Sequence, residues 1–262
     1  MNNVQIGIIG GTRGMGNWVA RFLEGEGYRV HVFGRNMGTG EITQLADICR
    51  VVIVSVPIGV TVSVIEKIAP HMHDDALLMD LTSLKGAPVK AMLESSVSEV
   101  IGCHPLFGPQ VDTIAGQRVV LCPARGNSWL TWLKDVLVRS GALVVETTPE
   151  IHDRMMAIIQ GLNHFNTIMI GLVLSKTGLS FSELCRFATP AFAAKIEIIQ
   201  KVFCQNPTLY AEIITMNPDI HELIEAYEQN MAELKKLIYQ GSASDIAAVI
   251  EKNASFFEGT VP

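Results

Sequence analysis

Three short segments gather residue types that exchange protons or hold small anions. Asp80-Leu81-Thr82-Ser83-Leu84-Lys85 combines a carboxylate, two hydroxyls and an ammonium. Gly102-Cys103-His104-Pro105-Leu106-Phe107-Gly108-Pro109 sets an imidazole directly before a proline. Gln160-Gly161-Leu162-Asn163-His164-Phe165 sets an amide and an imidazole in an otherwise apolar stretch. A neutral imidazole takes up or polarises an O–H proton near pH 7. Taken singly, each residue has a plainer reading. His104 fits a capped loop residue, Ser83 fits a cap for the next helix, and His164 fits a satisfied core histidine. A fourth feature is the turn Gly10-Gly11-Thr12-Arg13-Gly14-Met15-Gly16. Glycines permit a tight turn and close backbone approach, and a helix starting there offers free N–H groups to a pyrophosphate. The pattern is imperfect: counted as GxGxxG from Gly11, Arg13 stands at the middle glycine and Gly14 is displaced by one.

The elements that must carry these residues alternate through the first half. Apolar β-type runs are expected at 4–9, 29–33, 51–56, 77–81, 97–102, 118–122 and 143–146, with helices at 17–26, 60–69, 88–94 and 129–140. Strands alternating with helices predict an α/β fold with a Rossmann-type, doubly wound, mostly parallel sheet. The glycine turn follows its first strand, the position that gives such a motif weight. In open α/β sheets ligands sit outside the C-terminal strand ends, where Asp80–Lys85 and Gly102–Pro109 fall. From about residue 150 the pattern becomes all-helical, with helices expected at 151–177, 180–205, 208–216, 219–240 and 242–257 and breakers at Gly178, Asn206-Pro207, Asn217-Pro218 and Gly241. The expected division is therefore 1–150 and 151–262.

The bulk properties narrow the function classes. Of 262 residues, 48% are hydrophobic and 18% charged, which supplies a large core and argues against disorder. The net charge of −6 and the lack of a polybasic run argue against nucleic acid or a membrane surface as partner. Five cysteines at wide spacings, without a CxxC, argue against a disulfide framework or a metal site and for a reducing compartment. The first residues show no signal-peptide pattern, so the expected location is cytoplasmic. Residues 155–175 carry no charged side chain and could span a bilayer by length. Gln160, Asn163, His164 and Asn166 near the middle make a buried helix of a soluble protein the expectation, central to a helical domain or to a dimer core. A helical half of about 110 residues has limited means to bury such a helix alone, so an obligate homodimer is expected.

The DLTSLK, GCHPLFGP, HDRMMAIIQGLNHF, ATPAF and NPTLYAEI stretches, in that order, resemble the prephenate dehydrogenase family. The resemblance covers essentially the whole chain. It implies a Rossmann-type domain, an all-helical dimerisation domain, and oxidative decarboxylation of prephenate, or of arogenate as a close variant, in tyrosine biosynthesis. Another reductase on the same two-domain plan would leave CHPLFGP unexplained. By resemblance His104 bonds the ring hydroxyl of the substrate, Ser83 orients it and contacts the substrate, and His164 recognises a substrate carboxylate, with Gln160 beside it. His152-Asp153 matches a family pair and reads as structural. Lys201 stands where the family usually carries an arginine, keeping the charge but losing the bidentate fork; its plainer reading is a solvated helix charge. The expected cofactor residues are Gly10, Gly11, Thr12, Arg13, Gly14, Met15 and Gly16, with Val56 and Pro57 after the third strand. The second strand ends at Phe33-Gly34-Arg35 without the carboxylate that holds an NAD ribose. Arg35 and Arg13 suit a 2′-phosphate, so NADP is expected over NAD, unless Arg35 is simply a solvated strand-end charge.

Overall fold

The computed structural model describes residues 4–34 and 37–259. The described residues form two compact units that divide between Asn217 and Pro218. In the first, strands β1 (Gln5–Ile9), β2 (Arg29–Phe33), β3 (Val51–Val54), β4 (Leu77–Asp80), β5 (Glu99–Pro105), β6 (Arg118–Arg125) and β7 (Leu143–Glu146) make one sheet in the order β2-β1-β3-β4-β5-β6-β7. β1 to β5 run parallel, and the apolar runs of β1, β3 and β4 fit strands covered on both faces. β6 is antiparallel to β5, a reversal that the alternating pattern did not disclose, and β7 is parallel to β6.

Helices α1 (Gly14–Gly25), α2 (Thr39–Ile48), α3 (Ile58–Ile68), α4 (Gly86–Ser95) and α5 (Ser128–Arg139) cover the sheet. One core joins Ile6, Ile8, Ile53, Met79 and Ile101 to Trp18, Leu23, Trp132 and Leu137; the other joins Ile9, Val52, Val54 and Leu78 to Leu45, Ile65 and Met92. Even and odd strand positions thus face opposite helical layers. Helix α2 has no counterpart in the sequence expectations. It starts at Gly38 through a backbone cap closed by Glu41.

The all-helical part begins at α6 (Pro149–Met156), continues through a π-helical turn (Ala157–Leu162) into α7 (Asn163–Leu174), and is followed by α8 (Phe181–Arg186), α9 (Pro190–Cys204) and α10 (Pro207–Thr215). The helix expected over 180–205 is two. Thr189 caps the second by accepting from Phe192 N–H, and Pro190 takes the first helical position, where its missing N–H costs nothing. The change to helices falls after β7, yet the first unit runs on to Asn217 because α10 packs back onto it. Ile213 is buried with Ile58 and Leu84, and Glu212 accepts the N–H of Gly59 at 3.3 Å. The second unit contains α11 (Ile220–Gln240) and α12 (Ala243–Asn253), separated by the left-handed Gly241 at φ +68°.

The stretch over 155–175 is not interior in the single chain. Pro149–Leu174 is long and apolar enough to cross a membrane by length and composition, and 22% of its most apolar window is buried. Ile159 and Val173 are 55% and 60% exposed, so the expected burial is not supplied within one copy.

Candidate active site

The chain enters β2 beside one edge of β1 and returns to β3 at the other, so the turn after β1 lies at the switch point of the sheet. Gly10 takes φ +82°, and a Cβ there would lie 2.1 Å from the carbonyl oxygen of Ser55. A Cβ on Gly16 would lie 2.7 Å from the Gly10 oxygen. Only glycine allows these approaches, and they press the turn against Ser55-Val56-Pro57. The structure thereby brings Gly10, Gly11, Thr12, Arg13, Gly14, Met15 and Gly16 together with Val56 and Pro57. Among the described residues no side chain caps α1 and no acidic residue sits in its first turn. Thr12, Arg13 and Gly14 are exposed there. A glycine cradle opening on an uncapped helix N-terminus fits a dinucleotide pyrophosphate. Arg35 lies outside the described residues.

At the C-terminal end of β5, His104 is 3% exposed. Its Nδ1 lies 2.9 Å from His152 Nε2, and His152 Nδ1 lies 2.7 Å from Asp153 Oδ1. Asp153 in turn accepts the backbone N–H of Lys85 at 2.7 Å and of Gly86 at 2.8 Å. Burial, then the neighbouring His152 and Lys85, hold the His104 imidazole well below its ordinary pKa, so it is neutral near pH 7. The His152-Asp153 pair, read from the sequence as mainly structural, lies directly behind His104. Asp153 closes the start of α4, while His152 occupies the inner nitrogen of His104.

Lys85 is fully buried and ion-paired to Asp80, whose carboxylate also accepts from Thr82. The Lys85 ammonium donates to the Cys103 carbonyl at 2.9 Å and so ties the ends of β4 and β5 together. Gly102 makes room for the lysine stem: a Cβ there would meet Lys85 Cδ at 2.9 Å. Burial pushes the thiols of Cys103 and Cys122 up to about 12, so neither is a nucleophile near neutral pH.

Ser83 is half-buried beside this cluster, and among the described residues it makes no hydrogen bond. It neither caps α4, where Asp153 stands instead, nor orients His104, whose Nδ1 is taken by His152. His152, not Ser83, is the side chain in contact with His104 Nδ1. Gln160 is brought to the site, its Nε2 lying 3.5 Å from His104 Nε2. It sits in the π-helical turn, a wide turn frequent at functional sites. Among the described residues, Gln160 Oε1 and His164 Nδ1 are buried without a partner. The His164 ring packs edge-on against Tyr210 at 4.8 Å, and burial lowers its pKa. Lys201 is exposed in the last turn of α9 and is not brought into contact with the His104 cluster among the described residues.

A doubly wound sheet with a glycine turn at its switch point, followed by helices, defines a Rossmann-type dinucleotide-binding protein. The family models "Prephenate dehydrogenase, nucleotide-binding domain" and "Prephenate dehydrogenase, dimerization domain" match residues 32–146 and 148–252. The chain belongs to the prephenate dehydrogenase family. The first match starts beyond the glycine turn, where the sequence departs from the common GxGxxG spacing. The chain is 37% identical over 274 residues to a probable arogenate/prephenate dehydrogenase of Methanocaldococcus jannaschii, covering 97% of this chain and 61% of that one. It is 35% identical over 229 residues to the T-protein of Haemophilus influenzae, covering 87% of this chain and 60% of the relative. It thus spans about three fifths of the length of these relatives. The fold is that of a prephenate dehydrogenase from A. aeolicus in complex with hydroxyphenyl propionate and NAD+, with TM-score 0.74, 20% identity and 95% of each chain covered. A Synechocystis arogenate dehydrogenase matches with TM-score 0.70 at 20% identity, over 97% of this chain and 99% of the other.

Proposed function

We propose that this chain oxidises prephenate to 4-hydroxyphenylpyruvate and CO2 in tyrosine biosynthesis, as a cytoplasmic homodimer that prefers NADP to NAD. The observation that carries the reading is the His104 ring. Its Nδ1 is engaged by His152, which leaves its Nε2 beside the Gln160 amide, and among the described residues Gln160 Oε1 and, one turn further on, His164 Nδ1 are buried without partners. A substrate bearing a hydroxyl and carboxylates satisfies those atoms. His104 Nε2 accepts the proton of the ring hydroxyl as the carbonyl forms. The nicotinamide dinucleotide, when bound at the glycine turn, supplies the hydride acceptor. Cleavage of the bond to the ring carboxylate releases CO2, and its electron pair completes the aromatic ring, so no strong second acid or base is required. His164 and the Lys201 ammonium pair with substrate carboxylates, Ser83 contacts the substrate, and Arg13 and Arg35 read the 2′-phosphate.

The homodimer follows from the apolar surface of the helices. Ile159, Val173 and Phe187 on the first unit, and Ile238 and Ile250 on the second, are all more than half exposed. A second copy covers such residues in an interface of the obligate type. The polar Gln160, Asn163, His164 and Asn166 within the longest apolar helix make a bilayer the poorer covering.

The test is an assay of the purified chain with prephenate or arogenate and either cofactor, following absorbance of the reduced nicotinamide and the keto-acid product. Turnover of prephenate is expected, with His104→Asn slower by about 10²–10⁴-fold and cofactor affinity retained. Turnover of arogenate alone would move the assignment to that substrate; turnover of neither would overturn it.

A further inference from the structure

The hydrogen-bonded string behind His104 has a direction. Burial alone would raise the pKa of Asp153, but its bonds from His152 and from the Lys85 and Gly86 backbone N–H outweigh that and hold the carboxyl below its ordinary value. An ionised carboxylate only accepts, so the proton between the two side chains sits on His152 Nδ1. With His152 uncharged at rest, its Nε2 is bare and His104 Nδ1–H donates to it across 2.9 Å. His104 Nε2 is left bare, and the Gln160 amide donates toward it from 3.5 Å. One ring thus sets the tautomer of the next, and the chain of bonds ends on a carboxylate fixed at a helix N-terminus.

His104 is a poor place for a positive charge to rest. It is buried, and the Lys85 ammonium stands near it. His152 is equally enclosed, at 1% exposed, but touches the carboxylate of Asp153 directly. We propose that His152 is a positioning and charge-carrying residue of the reaction: as His104 Nε2 takes the substrate hydroxyl proton, the His104 Nδ1 proton passes to His152 Nε2, and the imidazolium forms on His152 against Asp153. One N–H bond forms and one breaks on His104, one forms on His152, and the net gain of one proton is the one the substrate loses. After product release His104 Nε2 gives its proton to water and the His152 Nε2 proton returns to His104 Nδ1, which restores the resting tautomers. The substrate in this account rests on the proposed function; the resting tautomers do not.

Two measurements on the full chain test it. The first is ¹⁵N NMR of histidine-labelled protein without substrate, with the His104 signals assigned by their loss in His104→Asn. A protonated Nδ1 and a bare Nε2 on His104 are expected; a bare Nδ1 overturns the proposal. The second is His152→Gln, whose amide keeps an acceptor for His104 and a donor for Asp153 but holds no extra proton. Its kcat is expected to fall about tenfold or more, at or below the roughly 10²–10⁴-fold contribution of a full acid–base group, with KM and cofactor affinity unchanged. A variant with wild-type kcat overturns the relay, and one that loses substrate affinity in place of kcat does the same. If the variant does not fold, the tautomer measurement decides alone. Absence of prephenate turnover in the wild type would refute the proposed function while leaving the tautomer result to stand or fall separately.

Discussion

Asp153, on α6, accepts the backbone N–H of Gly86 at 2.8 Å and so caps α4 from 67 residues away. Its other oxygen accepts from Lys85 and meets His152. One carboxylate therefore ends a helix of the sheet layer, anchors the first helix of the all-helical part, and orients the imidazole behind His104. The negative charge at a helix N-terminus is favourable in itself.

This gives a stability prediction with a sign. The native pKa of Asp153 lies below its unfolded value, so its contribution is complete above the ordinary carboxylate range. It fades as the pH falls through the depressed native value. Asp153→Asn is expected to lower stability by about 0.5–2 kcal/mol at neutral pH, the range for lost caps. In urea titrations at several pH values, the gap between wild type and variant should close on acidification. A gap independent of pH would show that the charge contributes nothing.

Removing Lys85 should cost more. The ammonium is fully buried against Asp80, and Lys85→Met leaves that carboxylate buried and uncompensated. A loss of about 3–5 kcal/mol is expected. Adding Asp80→Asn to the same chain should return part of it, because the stranded charge is gone. Urea midpoints of both variants measure the difference, and equal stability of the two would argue that the pair is not the source.

Cofactor preference is read most directly from Arg35. Arg35→Ala is expected to weaken NADP much more than NAD, since a charge-assisted contact to the 2′-phosphate is lost. Fluorescence titration with each cofactor gives the ratio. Equal losses for both would remove Arg35 from phosphate recognition.

Lys201 tests how the substrate carboxylate is held. Lys201→Ala should raise KM for prephenate strongly with a smaller effect on kcat, the pattern of lost uniform binding. Lys201→Arg should keep activity. An unchanged KM in the alanine variant would leave Lys201 as the solvated charge that its exposure in the single chain suggests.

Assembly is tested on α7. Val173 is 60% exposed on an apolar helix. Light scattering at micromolar concentration should give the mass of a dimer for the wild type, and Val173→Asp should shift it toward monomer or precipitate the protein. A wild-type monomer would contradict the homodimer.

Much of the architecture is written in local patterns. The runs at 29–33 and 143–146 coincide with β2 and β7 to the residue, and the other strands differ only at their ends. Strand period, glycine turns and helix breakers act over a few residues, so a one-dimensional reading finds them. The motif stretches likewise announced the family, and they contain His104 and Gln160, which the fold brings within 3.5 Å. What no local pattern carries is which side chains meet across elements. His104 and His152 are 48 residues apart, and the 2.9 Å between their rings depends on how α6 lies against the end of β5. Asp153 read as a charge for its own helix because its true partner, the start of α4, comes near only after the sheet and the helices pack. That His104 Nδ1 meets an imidazole from another element is likewise absent from the spacing around Ser83. The reversal of β6, the start of α2 and the wide turn that carries Gln160 were also decided there, since each depends on packing more than on propensity.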